Sequence, residues 1–245
     1  MKELWRLVDG LLRGREAVSS EEALGRMRVL WLVMSVLLLA AAYGVFMGVY
    51  ALSSREAAEY RQVASCMWKV PALFLLTLLI CFPSLYVFST LLGSRLSFLA
   101  TLKALLGIVT ITVTVLASFG PIMAFFSLST ENYAFMKLLN VAFFTVAGLL
   151  GVGALLKALR FLLRPQVPVI GDMPPIIGQK PSADEDRQIK RVFRIWILIY
   201  ALVGAQMGWV LRPFIGDPQS PFAWFRARQA NFFIDVWQTF LKLFS

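Results

Sequence analysis

Five apolar runs dominate the chain, at residues 29–52, 70–92, 104–126, 138–156 and 195–211, and none of them contains Asp, Glu, Lys or Arg. The longest has 24 residues and the shortest 17. As a helix, 24 residues reach roughly 36 Å, enough to cross about 30 Å of hydrocarbon with some tilt. Hydrocarbon offers no partner to a backbone amide, so a crossing run must bond to itself as a helix. Composition enters here: 59% of residues are hydrophobic and only 16% are charged, against about 25% charged in a soluble domain. That excludes a soluble enzyme, a disordered chain and a disulfide scaffold. The expected fold class is all-α, a polytopic membrane helix bundle. It has about five transmembrane helices plus N- and C-terminal amphipathic helices.

The segments around the runs divide the chain. Residues 1–18 read as an N-terminal amphipathic helix, with Leu4, Trp5, Val8, Leu11 and Leu12 on one face and Lys2, Arg6, Asp9 and Arg13 on the other. Residues 19–163 hold transmembrane helices one to four. Ser19 and Glu22 fit a capping box ahead of the first. Pro83 inside the second run is expected to kink it. Residues 164–181 form a Pro-rich cytoplasmic linker. Residues 182–212 are the fifth transmembrane helix with a lead-in capped by Ser182 and Glu185. Residues 213–245 are an aromatic interfacial loop and a C-terminal amphipathic helix. In that helix Phe233, Val236, Trp237, Phe240, Leu241 and Phe244 oppose Asn231, Asp235, Gln238, Thr239 and Lys242. With one Lys it suits a hydrophobic partner or the outer interface better than anionic lipid. No cleavable signal peptide is read at the N-terminus.

Charge sets the orientation. The net charge is +10, and basic residues flank the apolar runs, which points to topology and membrane lipids and not to nucleic acid. With five spans, sixteen of the 24 Lys and Arg fall on the N-terminal side of the membrane and eight on the other. The positive-inside rule then puts the N-terminus in the cytoplasm and the C-terminus outside. A four-span arrangement with the fifth run lying flat would satisfy charge better. The uninterrupted apolar length of that run favours five.

Chemistry is conspicuous by what is missing. The chain has no His, which removes His-ligated haem, His-rich zinc sites and imidazole-dependent triads. Cys66, assigned to a polar loop, and Cys81, in the second run, form no CxxC pair. No cofactor and no metal site is expected. Intramembrane ionisable groups mark pumps, proton-coupled transporters and voltage sensors, and the five runs have none. No nucleophile-elbow, zinc-protease or P-loop motif is present. The reading is therefore not an enzyme; a lipid-acting enzyme built on loop carboxylates and Arg212 is the weakest reading.

Three groups of residues remain. Ala40, Gly44 and Gly48, then Ala147 and Gly151, then Gly204 and Gly208 recur at four-residue spacing, a pattern that lets membrane helices approach closely. Gln206, between the last two glycines, would need partners if buried. Thr110, Thr114 and Ser118 lie on one stripe of the third run. They either line a polar path or bond to their own helix's carbonyls. Arg212, Trp209, Trp224, Arg226 and Trp237 gather near the exit of the fifth run and suit contact with a lipid phosphate or a partner.

The opening Leu-Trp-Arg-Leu-Val-Asp-Gly-Leu-Leu-Arg-Gly and the stretch Gly-Trp-Val-Leu-Arg-Pro-Phe-Ile-Gly resemble uncharacterised bacterial multi-pass inner-membrane proteins. The general layout resembles the Yip1-type five-span family. The resemblance implies a bacterial inner-membrane setting and carries over no activity and no site. Two functions follow as expectations: a structural or accessory subunit of a larger inner-membrane complex, contacting lipids and other subunits or copies of itself; or a homo-oligomeric channel lined by the Thr/Ser stripe.

Overall fold

A computed structural model describes residues 22–53, 60–91, 98–162, 183–212, 214–216, 222–225 and 231–244. The N-terminal amphipathic segment, Ser19 and Ser182 of the capping boxes, the 164–181 linker and Arg226 lie outside the described residues. Among the described residues every regular element is helical: α1 Glu22–Ser53, α2 Tyr60–Leu91, α3 Phe98–Ser118, α4 Gly120–Ser129, α5 Tyr133–Leu162, α6 Ala183–Val210 and α7 Phe232–Phe244. Four stretches of the described residues are long and apolar enough to cross a bilayer: Arg28–Ser53, Tyr60–Val87, Thr101–Ser129 and Tyr133–Ala154. The protein is an all-α, membrane-embedded bundle. The apolar part of α6 is shorter, Leu198–Val210, about 20 Å of helix.

The third crossing is built from two helices. Phe119 interrupts it, yet its amide still bonds to the Leu116 carbonyl at 3.1 Å and its carbonyl accepts from Met123 at 2.9 Å. Pro121 then sits in the first turn of α4, where a missing N–H costs little. Asn132 caps α5 through its side-chain oxygen on the Phe135 amide, and Asn231 caps α7 in the same way on Ile234.

The second helix corrects the sequence reading. It starts at Tyr60, ten residues before its apolar run, and continues through Pro71 and Pro83. Cys66 and Lys69, expected in a polar loop, lie on α2 and are fully buried. The crossing stretch Tyr60–Val87 thus contains Arg61 and Lys69, so ionisable groups do occur within the spans. Hydropathy stops at the first Lys, whereas a helix continues wherever tertiary contacts satisfy the polar side chain.

α1 is the centre of the bundle. Val36, Ala40, Tyr43, Met47 and Tyr50 are buried along its length, and α2, α3 and α4 all pack against it. α1 and α2 cross with backbones nearly touching. A methyl added at Gly44 would lie 2.5 Å from the Cys66 carbonyl oxygen, and one at Gly48 would lie 2.7 Å from Val63 Cα. That register makes the two helices antiparallel. At the far end of α1, Ser53 donates to the Ser127 carbonyl at 2.7 Å and Tyr50 to the Glu131 carbonyl at 2.8 Å. About two turns before Tyr50, the Tyr43 hydroxyl donates to Asn140 Oδ1 of α5 at 2.8 Å.

Replacing Gly44 or Gly48 by Val must push these backbones apart. Thermal unfolding of the purified protein should show each destabilised by about 1–3 kcal/mol or more. Gly148→Ala meets nothing within 4 Å and should be neutral or stabilising by about 0.5–1 kcal/mol. Equal losses at all three positions would show that close approach is not what α1 requires.

Candidate functional site

α6 packs along α2, and α5 packs along α3, but among the described residues α5 and α6 do not pack closely along each other. The gap between them is a cleft of about 1110 Å3, slightly above the roughly 300–1,000 Å3 usual for small-molecule sites. Its floor is Leu73, Phe74, Thr77 and Leu78 of α2 with Leu105, Ile108, Val109 and Thr112 of α3. Its rims include Leu149 of α5 and Ile195 and Leu198 of α6, all three exposed. The opening is therefore rimmed by exposed apolar side chains.

One end of the cleft is polar. Tyr133, Lys137 and Asn140 come from α5, Arg212 from the exit of α6, and Asp235, Gln238 and Thr239 from α7. Lys137 forms an ion pair with Asp235 and donates to Thr239 Oγ1 at 3.0 Å. Tyr133 reaches the Ile215 carbonyl at 3.5 Å, which ties the α6 exit to the start of α5. The Arg212 guanidinium lies 3.6 Å from the centre of the Trp209 ring, a cation–π contact. The aromatic wall below is ordered by Phe144, stacked on Phe74 at 5.9 Å and edge-on to Tyr43 at 5.8 Å.

α7 sits with its polar face inward. Asp235 and Thr239 turn toward Lys137, while Phe233, Ile234, Trp237, Phe240 and Leu241 are exposed. This is the reverse of an amphipathic helix on a soluble protein. It is the stable arrangement where the surroundings are apolar and the protein supplies the polar partners.

The segment after α6 is held by the buried polar residues of α2. Gln62 Nε2 and Cys66 Sγ both donate to the Phe214 carbonyl, at 2.6 and 2.7 Å. Lys69 donates to the Trp224 carbonyl at 2.5 Å and lies 5.0 Å from the Phe225 ring centre. A charge removed from water needs such partners.

The small-residue positions divide. Gly44 and Gly48 serve the α1–α2 crossing, and Gly151 the α3–α5 crossing, where an added methyl would collide with Thr112 Oγ1. Gly204 and Gly208 are different. Methyls there would meet only Thr77 Cγ2 at 3.7 Å and Leu73 Cδ1 at 3.5 Å, ordinary contact distances, and both glycines line the cleft. On α6 small residues leave room instead of locking two backbones. Gln206 is half-buried and lies off the cleft.

The hydroxyl stripe bonds within its own helix. Thr110 donates to the Leu106 carbonyl at 2.8 Å, Thr114 to Thr110 at 2.7 Å and Ser118 to Val115 at 2.6 Å. Thr110 is fully buried in the bundle, and none of the three lines the cleft. Trp209 and Arg212 stand in the cleft wall, Trp224 supplies its carbonyl to Lys69, and Trp237 is exposed on α7, stacked on Phe240.

Lys137, Asp235, Asn140 and Lys69 carry much of this geometry and were not singled out as site residues from the sequence. Asn140 was legible as an amide inside the fourth run, and Lys137 as the single basic residue of its loop. Their convergence with α7 required the tertiary structure. No family model, no curated protein and no solved structure matches the chain.

The Lys137–Asp235 pair is about a quarter exposed on each side, so it should couple measurably. A double-mutant cycle with Lys137→Gln and Asp235→Asn, read by thermal unfolding, should give a coupling of about 0.5–3 kcal/mol. Additive losses would mean that α7 is held by other contacts.

Proposed function

We propose that the protein is a non-enzymatic integral membrane subunit that holds a membrane amphiphile in its lateral cleft, as a structural or accessory component of a larger membrane assembly. The observation that carries the reading is the cleft: apolar along its length, polar at one end and rimmed by exposed apolar side chains that suit an opening toward lipid. Soluble ligands do not need an entrance of that kind, whereas molecules dissolved in the bilayer do. The absence of His and of catalytic motifs in the sequence supports a binding role. The outward apolar face of α7 supports contact with neighbours in the membrane or at its edge.

The reading includes five crossings. What supports the fifth is the register of α6 on α2. Gly208 faces Leu73 and Gly204 faces Thr77, so α6 runs antiparallel to α2 within the stretch Tyr60–Val87 that crosses the bilayer. A helix lying flat on the membrane would cross α2 at an angle and lose that register. The Lys and Arg distribution supports an N-terminus in the cytoplasm, with the C-terminus and the polar end of the cleft outside, and the resemblance to bacterial inner-membrane proteins supports that membrane. The homo-oligomeric channel remains the second reading, without support from the Thr110 stripe.

Extraction of the full chain into native nanodiscs tests the proposal. Mass analysis should show additional polypeptides and lipid retained after washing. Tags on the two termini should be reached from opposite sides of the membrane. A single chain without partner or retained lipid would refute the reading. A symmetric oligomer of this chain alone would favour the channel.

A further inference from the structure

At the polar end of the cleft Lys137 is engaged by Asp235 and Thr239. One turn further along α5 stands Asn140, which lines the cleft and is half-buried. We propose that the cleft binds an isoprenoid quinone, with a ring carbonyl accepting a hydrogen bond from the Asn140 amide and the tail lying between α5 and α6. This rests on the cleft being the working surface of the protein. Three observations select this occupant.

The first is donor supply. Tyr43 is fully buried, so its hydroxyl needs an acceptor, and it donates to Asn140 Oδ1 at 2.8 Å. That bond turns the Asn140 oxygen toward Tyr43 and leaves the NH2 group over. The NH2 group has no acceptor among the described residues. Trp209, 7% exposed and lining the cleft from α6, carries a second donor. Its indole N–H is buried without an acceptor among the described residues. Unmet donors are costly, and they suit a head that only accepts. A quinone carbonyl accepts and has nothing to donate, whereas an alcohol brings a donor of its own.

The second is depth. Asn140 follows Tyr133, the first residue of the crossing stretch Tyr133–Ala154, by seven positions, about 10 Å along the helix. A phosphate drawn to that level leaves the headgroup layer for hydrocarbon, which is costly for a charge. An uncharged carbonyl meets no such cost. The third is shape. Ala201, Gly204, Ala205 and Gly208 line the cleft from α6. Gly148 lines it from α5, where an added methyl meets nothing within 4 Å. Walls without side-chain bulk leave a slot for a flat ring, which has no rotamers to lose on binding. Phe74 and Phe144 add aromatic surface to the same cleft.

Native mass spectrometry of the full chain in a non-ionic detergent measures the binding. The probes are a menaquinone with four isoprene units, an isoprenoid hydrocarbon of the same tail without a head, and phosphatidylglycerol. The quinone should bind as a single molecule at least tenfold more tightly than either of the others. Tyr43→Phe combined with Asn140→Leu removes the donor together with its buried partner, a change that folds tolerate better than the loss of one alone. The double variant should lower quinone binding about tenfold and leave that of the hydrocarbon within twofold. In isotope-edited infrared spectra the carbonyl band of the bound quinone should lie at lower frequency than in detergent alone. That displacement should vanish in the double variant, which a purely structural role of Asn140 does not produce. Gly148→Phe, which adds bulk from a position bordering open space, should reduce both quinone and hydrocarbon.

Equal binding of quinone and hydrocarbon, insensitive to the double variant but lost in Gly148→Phe, would overturn the quinone assignment and leave the cleft reading standing. Tighter binding of phosphatidylglycerol than of the quinone would overturn it in favour of a phospholipid. Binding of every probe unaffected by Gly148→Phe would overturn the cleft reading itself.

Discussion

The close crossing of α1 and α2 is the contact on which the remainder of the bundle depends. Lipid tails are as apolar as Leu, so burying apolar side chains between helices gains little in a membrane. Association rests on close packing and on polar contacts. Gly44 and Gly48 let α1 reach the backbone of α2, and α1 then carries α3 and α4 on its other faces. α6 is held mainly by α2. Where α6 stands is therefore a consequence of where α1 puts α2, and the cleft is the space left when α6 follows α2 while α5 follows α3.

Polar groups take the place that hydrophobic contacts hold in a water-soluble fold. Tyr43 to Asn140, Tyr50 to the Glu131 carbonyl and Ser53 to the Ser127 carbonyl tie α1 to its neighbours. Gln62, Cys66 and Lys69 secure the segment that follows α6. These links concentrate at one end of the bundle, the end where α7 docks through Lys137. The opposite distribution on α7, apolar outward and polar inward, follows from the same solvent reversal. It leaves the polar mouth of the cleft bordered by the inward face of α7.

Class and helix positions were legible because the bilayer imposes length and apolarity directly on the sequence. The first crossing, expected at residues 29–52, appears as Arg28–Ser53. The second was misjudged at its start, since Lys69 and Cys66 interrupt the apolar run without interrupting the helix. The glycine ladders were legible as small-residue patterns, but nothing local separates Gly44, pressed on a backbone, from Gly204, which borders open space. The difference lies in what a distant helix places opposite each one.

Length, apolar character and the distribution of Lys and Arg were determined by the sequence itself, because each is a property of one segment against its solvent. The meeting of Lys137 with Asp235 and the gap between α5 and α6 that they border were decided only by the tertiary structure. They join residues from three helices far apart in the chain, and no periodicity within one helix records which neighbour stands across from it or which neighbour is missing.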